Sequence, residues 1–152
     1  MSHPMKARLK RSIDTAKPYQ AIAAVTTQTL AVGYWFCAGI DLIDLSGRIL
    51  RQLSSTLFPC SMLTTPDGFL MVPSHMGDSI AKMNLDDKTI VFHHKVEQIK
   101  NPRGIAYAMD GSLIVVDETM RTLHLIRPNG VWLKKLWTDP GGQDADDELW
   151  LE

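Results

Sequence analysis

The sequence has few of the residues that define several protein classes. Only two of its 152 residues are cysteines, Cys37 and Cys60, too few for a disulfide scaffold or a cysteine-rich zinc site. Sixteen basic residues against seventeen acidic ones give a formal charge of −1, so no overall field attracts nucleic acid or anionic lipid. With 22% charged and 45% hydrophobic residues, it is not a disordered polyelectrolyte. We expect about one globular domain, cytoplasmic, with reduced thiols.

A long hydrophobic run is also missing. Residues 18–40 carry no formal charge and follow a basic segment, as a membrane anchor would. The centre of this stretch, however, is the polar run Thr26–Thr29, and a membrane span needs about 20 apolar residues. The stretch therefore predicts two short strands joined by a polar turn, and we expect no membrane association.

The chain contains an internal repeat with a period of about 40–43 residues. Turn residues and apolar residues of residues 101–130 coincide with those one period earlier: Pro102 falls on Pro59, Asp110 on Asp67, Leu113 on Leu70 and Val115 on Val72. A second shift aligns the apolar positions of a further copy. The sequence thus divides into a basic segment or outer strand of a preceding blade (1–17), three copies (18–57, 58–100 and 101–141), and an acidic linker with the start of a fourth copy (142–152).

Each copy has the pattern of β-strands. In the third copy, apolar runs at 104–108, 112–116, 123–126 and 131–137 are separated by turn signals such as Asp-Gly and Asn-Gly. Turn signals recur too often for paired helices. We predict an all-β fold, a partial β-propeller of about three four-stranded antiparallel blades, because radial stacking buries both faces of each sheet. A β-sandwich with accidental similarity between its strands is the alternative.

The third copy also carries the residues of a known repeat. Pro102 is followed by Gly-Ile-Ala at 104–106, an Asp-Gly turn at 110–111, and an apolar strand that ends in Asp117. In this order the copy resembles the NHL repeat, and the weaker likeness of the other copies extends the resemblance over about residues 18–137. The resemblance implies a propeller of NHL type.

Two positions depart from the NHL pattern. The family's basic position before the third strand is Thr122 here, with Arg121 one place earlier. Its aspartate position is Ser74 in the second copy and Tyr34 in the first, so we expect an Asp–Arg pair once at most.

The first copy is similar to the degenerate NHL-type domains of invertebrate tripartite-motif proteins. This resemblance implies a non-catalytic scaffold that binds a protein partner, the substrate-binding part of a ubiquitin ligase whose RING lies outside these residues. A propeller that binds single-stranded RNA is the alternative, because aromatic rings beside arginines suit stacked bases. We therefore expect no enzyme activity and no cofactor in this chain.

Propeller connectivity indicates where a partner would bind. In a meander, the second-to-third-strand turns and the connections between blades emerge at one end, and loops on a rigid scaffold carry binding residues. Aromatic and arginine side chains are frequent interface anchors. The candidate partner-binding residues at this end are Tyr34, Trp35, Phe36, His75, Arg103 and Arg121. Packing of Trp35 and Phe36 against a neighbouring blade is the alternative.

A metal site is not indicated by the residue spacing. His93 and His94 are adjacent in a predicted strand and point to opposite faces, so they cannot bind one ion. A third function, a fragment of a six-bladed gluconolactonase-like hydrolase, needs oxygen ligands at the starts of first strands. The corresponding pairs are Ala21-Ile22, Ser61-Met62 and Gly104-Ile105, without a carboxylate.

Three blades leave two sheet faces without a neighbour, whereas rings of the resembled family have about six blades. We expect these faces to carry Leu30, Val32, Leu113, Val115, Leu149 and Leu151. Their exposure predicts either a homodimer that closes a ring or a fragment that stays open and aggregates.

Overall fold

The computed structural model describes residues 6–54, 56–74, 79–108 and 110–140, apart from the side chain of His94. They contain strands and turns and no helix, and the strands form three four-stranded antiparallel sheets. The expected all-β fold of three meander blades is therefore confirmed. The region in which a fourth copy was expected, 142–152, lies outside the described residues.

Each sheet takes four consecutive strands in chain order. The first blade contains β1 (Ala21–Ala24), β2 (Thr29–Tyr34), β3 (Cys37–Asp44) and β4 (Ile49–Ser54). The second contains β5 (Leu63–Thr64), β6 (Phe69–Ser74), β7 (Ser79–Asn84) and β8 (Ile90–Lys95). The third contains β9 (Pro102–Tyr107), β10 (Leu113–Asp117), β11 (Thr122–Ile126) and β12 (Trp132–Thr138).

The tight turns of the third blade lie where the sequence has Asp-Gly and Asn-Gly. Gly111 and Gly130 have φ values of 88° and 87°, in the left-handed region that glycine enters without steric cost. The Asp110 carboxylate accepts a hydrogen bond of 2.9 Å from the backbone N–H of Ser112, which closes the first of these turns. These turns lie at one end of the blade, opposite the β10–β11 turn.

The first strands of the blades lie next to one another. β1 contacts β5, and β5 and β6 contact β9, so the blades stack side by side with their first strands innermost. Between the first and second blades, Ile40, Leu70 and Met83 are fully buried in one apolar cluster. Between the second and third, Met71, Ile80 and Leu113 lie in another. Each cluster is filled from two sheets, which is why no single repeat has a core of its own.

The prediction for the outer face of the third blade is wrong, because the residues expected there lie on the opposite face of the sheet. Leu113 and Val115 are only 1% and 0% exposed and pack against the second blade. The outer face instead carries the alternate residues of β10, and Val116 there is 39% exposed. Both sets of β10 residues are apolar, so the sequence offers no polarity with which to choose between the two faces. Leu149 and Leu151 lie outside the described residues.

Residues 6–20 contain no strand and lie along part of the outer face of the first blade. The Arg11 guanidinium donates a hydrogen bond of 3.2 Å to the Leu45 carbonyl, and Ile13 lines a cavity of about 280 Å³ with Val32 and Ile43. Val32 is buried although it faces away from the second blade, whereas Ile22 is 60% exposed. The basic segment therefore shields this face only in part.

A buried histidine connects β11 to β12 in the third blade. The indole Nε1–H of Trp132 donates to His124 Nδ1 at 2.9 Å, and His124 Nε2 lies 2.8 Å from Thr122 Oγ1. Because an indole nitrogen only donates, Nδ1 must be unprotonated and the neutral ring carries its proton on Nε2. Burial lowers the pKa of His124 below its ordinary 6.5, against a smaller opposite effect of Asp117. A second ring proton would also confront the indole N–H.

This histidine predicts a loss of stability in mild acid. Below pH 6.5 the unfolded chain takes up a proton at residue 124 that the folded chain refuses, so the free energy of unfolding falls as pH falls. The expected decrease is at most about 1.4 kcal/mol per pH unit, and it ends below the folded-state pKa. Urea unfolding between pH 7.5 and 5.0 measures it. His124→Gln is expected to remove this pH dependence of the free energy of unfolding. His93→Gln, at an exposed position of β8, is the control and should keep it. An equal pH dependence in the two variants would contradict the assignment to His124.

Candidate functional site

The loop end of the molecule is the end at which the β2–β3 and β10–β11 turns and the connections between blades emerge. Trp35 and Phe36 form the β2–β3 turn, closed by the pairing of Tyr34 with Cys37. Arg103 lies at the start of β9, directly after the connection between the second and third blades. The meander thus brings residues of the first and third copies to one end of the molecule.

Three aromatic rings and one arginine form what we call the Trp35 cluster: Tyr34, Trp35, Phe36 and Arg103. The ring centroids of Trp35 and Phe36 are 3.6 Å apart with an interplanar angle of 32°. Those of Tyr34 and Phe36 are 5.5 Å apart. The Arg103 guanidinium lies 5.1 Å from the centre of the Trp35 ring, within cation–π distance. Phe36 is 61% exposed, whereas Trp35 is half-buried, so the turn presents a large apolar ring to solvent.

A fifth residue, Glu118, neutralises the charge of the cluster. Its Oε2 lies 2.7 Å from Arg103 Nε. Glu118 directly follows β10, and nothing in the linear sequence pattern pairs it with Arg103. The ion pair lies beside the contact of Arg103 with Trp35 and balances the charge of the arginine.

A buried carboxylate positions both partners of this ion pair. Asp117 is 0% exposed and accepts hydrogen bonds from the backbone N–H groups of Lys100 (2.7 Å), Asn101 (3.3 Å) and Met120 (3.1 Å). The first two belong to the connection that leads to Arg103, and the third belongs to the turn that carries Glu118. The aspartate recognised in the repeat therefore ties a connection to a turn at the loop end.

The remaining predicted site residues lie apart from this cluster or outside the described residues. Arg121 has a φ of 54°, and its Nη1 lies 3.6 Å from Asp139 Oδ2. His75 lies outside the described residues.

A pocket that the sequence did not indicate adjoins the cluster at Tyr34. This Lys17 pocket has a volume of about 150 Å³, and the following side chains line it: Lys17, Pro18, Tyr19, Tyr34, Cys37, Ala38 and Asp41. Asp41 is 4% exposed. Its Oδ2 accepts hydrogen bonds from Lys17 Nζ at 2.8 Å and from the Tyr19 hydroxyl at 2.7 Å.

The Tyr19 hydroxyl acts as a hydrogen-bond donor in this pocket. Burial, followed by the hydrogen bond to Asp41, raises the pKa of Tyr19 above its ordinary value of 10.0, so the phenol stays protonated as a donor. The one sequence signal for this pocket was an aspartate within the otherwise apolar run 40–43 of β3. A buried carboxylate requires partners, and here they come from residues 17 and 19.

Two kinds of feature are absent from the residues that the structure describes. Those residues include no group of three or more histidine, cysteine, aspartate or glutamate side chains placed to hold a metal ion. Nor do they include a helix with the length and hydropathy needed to cross a membrane.

Comparisons with solved structures identify the class of fold. A catalytically inactive virginiamycin B lyase from Staphylococcus aureus with quinupristin matches 76% of this chain and 40% of its own, at 14% identity and a TM-score of 0.64. A streptogramin B lyase matches 81% and 41%, at 16% identity and 0.65. Kuenenia stuttgartiensis hydrazine synthase matches 90% and 41%, at 19% identity and 0.69. The chain thus spans about two fifths of the length of these structures.

The described chain is therefore an arc of a β-propeller. At these identities the likeness establishes the fold alone. No family model matches the sequence, and no curated protein does, so the NHL type implied by the resemblance remains a prediction.

The expectation that the chain is not an enzyme is wrong, because this fold does not exclude enzymes. Two of the neighbours on this fold are lyases. The expectation rested on the resemblance to non-catalytic NHL-type scaffolds, and one fold can carry both scaffolds and enzymes.

Proposed function

We propose that the loop end is a recognition surface for a protein partner, with the Trp35 cluster as its anchor. The observation that carries this proposal is the stack of Trp35 and Phe36 beside Arg103, with Phe36 left 61% exposed. Tryptophan, tyrosine and arginine are the residues that most often dominate protein interfaces. The stack lies on a short turn of a buried sheet, so little ordering entropy is lost on binding.

The charges of the surface favour a protein over RNA. Arg103 is paired with Glu118, and Arg121 with Asp139, so each arginine at the loop end has an acid beside it. RNA binding rests on unneutralised cations that release counterions from phosphates. The ubiquitin-ligase setting implied by the resemblance has no matching family model, and the proposal concerns the surface alone.

The test is a selection of peptides from a random phage-displayed library on the folded chain. For the selected peptides, Phe36→Ala is expected to weaken binding by about thirtyfold, the effect of losing a central interface anchor. The unfolding midpoint should stay unchanged because Phe36 projects into solvent. Fluorescence anisotropy measures the affinities.

Val131→Ala is the matched control, because Val131 is an exposed apolar residue beside the β11–β12 turn at the opposite end. It should leave the affinities unchanged. Peptides that bind Phe36→Ala as tightly as the unaltered chain would refute the proposal. So would salt-sensitive retention of mixed-sequence single-stranded RNA in a filter assay with no peptide selected.

A further inference from the structure

The Lys17 pocket has a size and a polarity that select one kind of occupant. A cavity of about 150 Å³ is large enough for a benzene ring. The walls are formed mainly by the ring of Pro18, the ring of Tyr34 and the methyl group of Ala38, and the polar atoms lie together at Asp41 and Lys17. An occupant that fits is apolar along its body and polar at one tip.

The charges at the polar end exclude ionic occupants. Lys17 and Asp41 already neutralise each other at 2.8 Å. A second cation would approach the Lys17 ammonium, and a second anion would approach a carboxylate that is 4% exposed. A neutral group avoids both repulsions.

The hydrogen-bonding capacity at that end calls for a hydroxyl. Both bonds to Asp41 reach Oδ2, and among the described residues none reaches Oδ1. Lys17 Nζ uses one of its three donors on Asp41. The site therefore offers an acceptor and a donor side by side, which a hydroxyl group satisfies simultaneously and a protonated amine or a methyl group does not.

We infer that this pocket binds the phenol ring of a tyrosine, with its hydroxyl donating to Asp41 and accepting from Lys17. Tyr34 forms a wall of the pocket and also contacts Phe36, 5.5 Å away between ring centroids. A peptide that lies on the Trp35 cluster thus reaches the pocket with an adjacent side chain. The identification of the tyrosine as part of a protein partner rests on the proposed function.

The test uses small probes and needs no partner. Titration calorimetry and saturation-transfer NMR compare 4-methylphenol, which is a tyrosine side chain without its backbone, with toluene. We expect 4-methylphenol to bind with a Kd on the order of 1 mM, and about fivefold more tightly than toluene. Lys17→Met should weaken the binding of 4-methylphenol and leave that of toluene unchanged, because the methionine keeps the length of the side chain without its donor.

A second variant locates the site. Ala38→Phe places a ring at the pocket wall and should abolish binding of both probes, whereas Ala106→Phe, at an exposed position of β9, should not. Equal affinity for the two probes in the unaltered chain would overturn the role of the hydroxyl. Binding of 4-methylphenol that survives both Ala38→Phe and Lys17→Met would overturn the site.

The two proposals fail in different experiments. If the selected peptides lose affinity for Phe36→Ala but 4-methylphenol does not bind the unaltered chain, the recognition surface is supported and the tyrosine pocket is contradicted. If both hold, replacement of a tyrosine by phenylalanine in a selected peptide should cost about fivefold in affinity.

Discussion

Replacing Asp117 by alanine is expected to lower the free energy of unfolding by about 3 kcal/mol or more. The carboxylate is completely buried and accepts three backbone N–H groups, from Lys100, Asn101 and Met120. Alanine leaves these donors inside the protein without acceptors, at a cost of about 1–3 kcal/mol for each one that water cannot reach. Urea unfolding at pH 7.5 measures the loss.

The second blade supplies the matched control for this substitution. Ser74 occupies the same repeat position, and its hydroxyl accepts a hydrogen bond of 3.0 Å from the Phe58 backbone N–H. Ser74→Ala is expected to lower the free energy of unfolding less than Asp117→Ala does, because hydrogen bonds to a neutral hydroxyl are weaker than those to a carboxylate. Equal losses in the two variants would show that the charge at Asp117 does not matter.

The same substitution should also disturb the loop end. Asp117 ties the connection before Arg103 to the turn that carries Glu118. Any folded fraction of Asp117→Ala should thus bind selected peptides more weakly than Ser74→Ala does, although residue 117 is buried and contacts no partner.

Gly33→Ala is expected to destabilise the fold by about 2–3 kcal/mol through steric overlap. A Cβ at residue 33 would overlap the ring of Pro59, and it would lie 3.3 Å from the Gly39 carbonyl oxygen. Pro59 bridges to Ser74 at the entrance of the second blade, so the ring cannot withdraw without moving that blade. Overpacking of this kind typically costs about 1–3 kcal/mol.

Substitutions at two other glycines distinguish destabilisation by steric overlap from destabilisation by backbone strain. Gly104→Ala meets only the Val116 side chain at 3.4 Å and should be nearly neutral. Gly68→Ala meets nothing within 4 Å but has a φ of 88°, so about 1 kcal/mol of conformational strain is expected. Denaturant midpoints rank the three variants; if Gly33→Ala were no worse than Gly68→Ala, the two blades would be less rigidly apposed than the structure indicates.

The fold could be predicted largely from the sequence because each repeat marks its own turns. The Asp-Gly pairs recur at one period together with apolar alternation, and these signals are local. The orientation of β10 could not be predicted, since Leu113 and Val116 are equally apolar and only the position of the neighbouring blade decides which is buried.

The candidate site was accessible to sequence reasoning only in part. Meander connectivity places Trp35 and Arg103 at one end, but their contact across the first and third blades depends on the curvature of the arc. The Lys17 pocket depends on the path of an irregular segment, for which no periodic signal exists. Asp41, in an otherwise apolar run, is the one residue whose burial would have called for a partner.

Because residues 6–20 lie on the outer face of the first blade, the two ends of the arc are not equivalent. A further sheet that joins the first blade must first displace residues 6–20 and break the contacts of Lys17 and Tyr19 with Asp41. At the third blade it meets exposed apolar residues such as Val116. The two ends of the arc therefore present different surfaces to an added sheet. Displacement of residues 6–20 would also remove the Lys17 pocket. Binding of a ligand in that pocket is therefore expected to disfavour the addition of a sheet to the first blade.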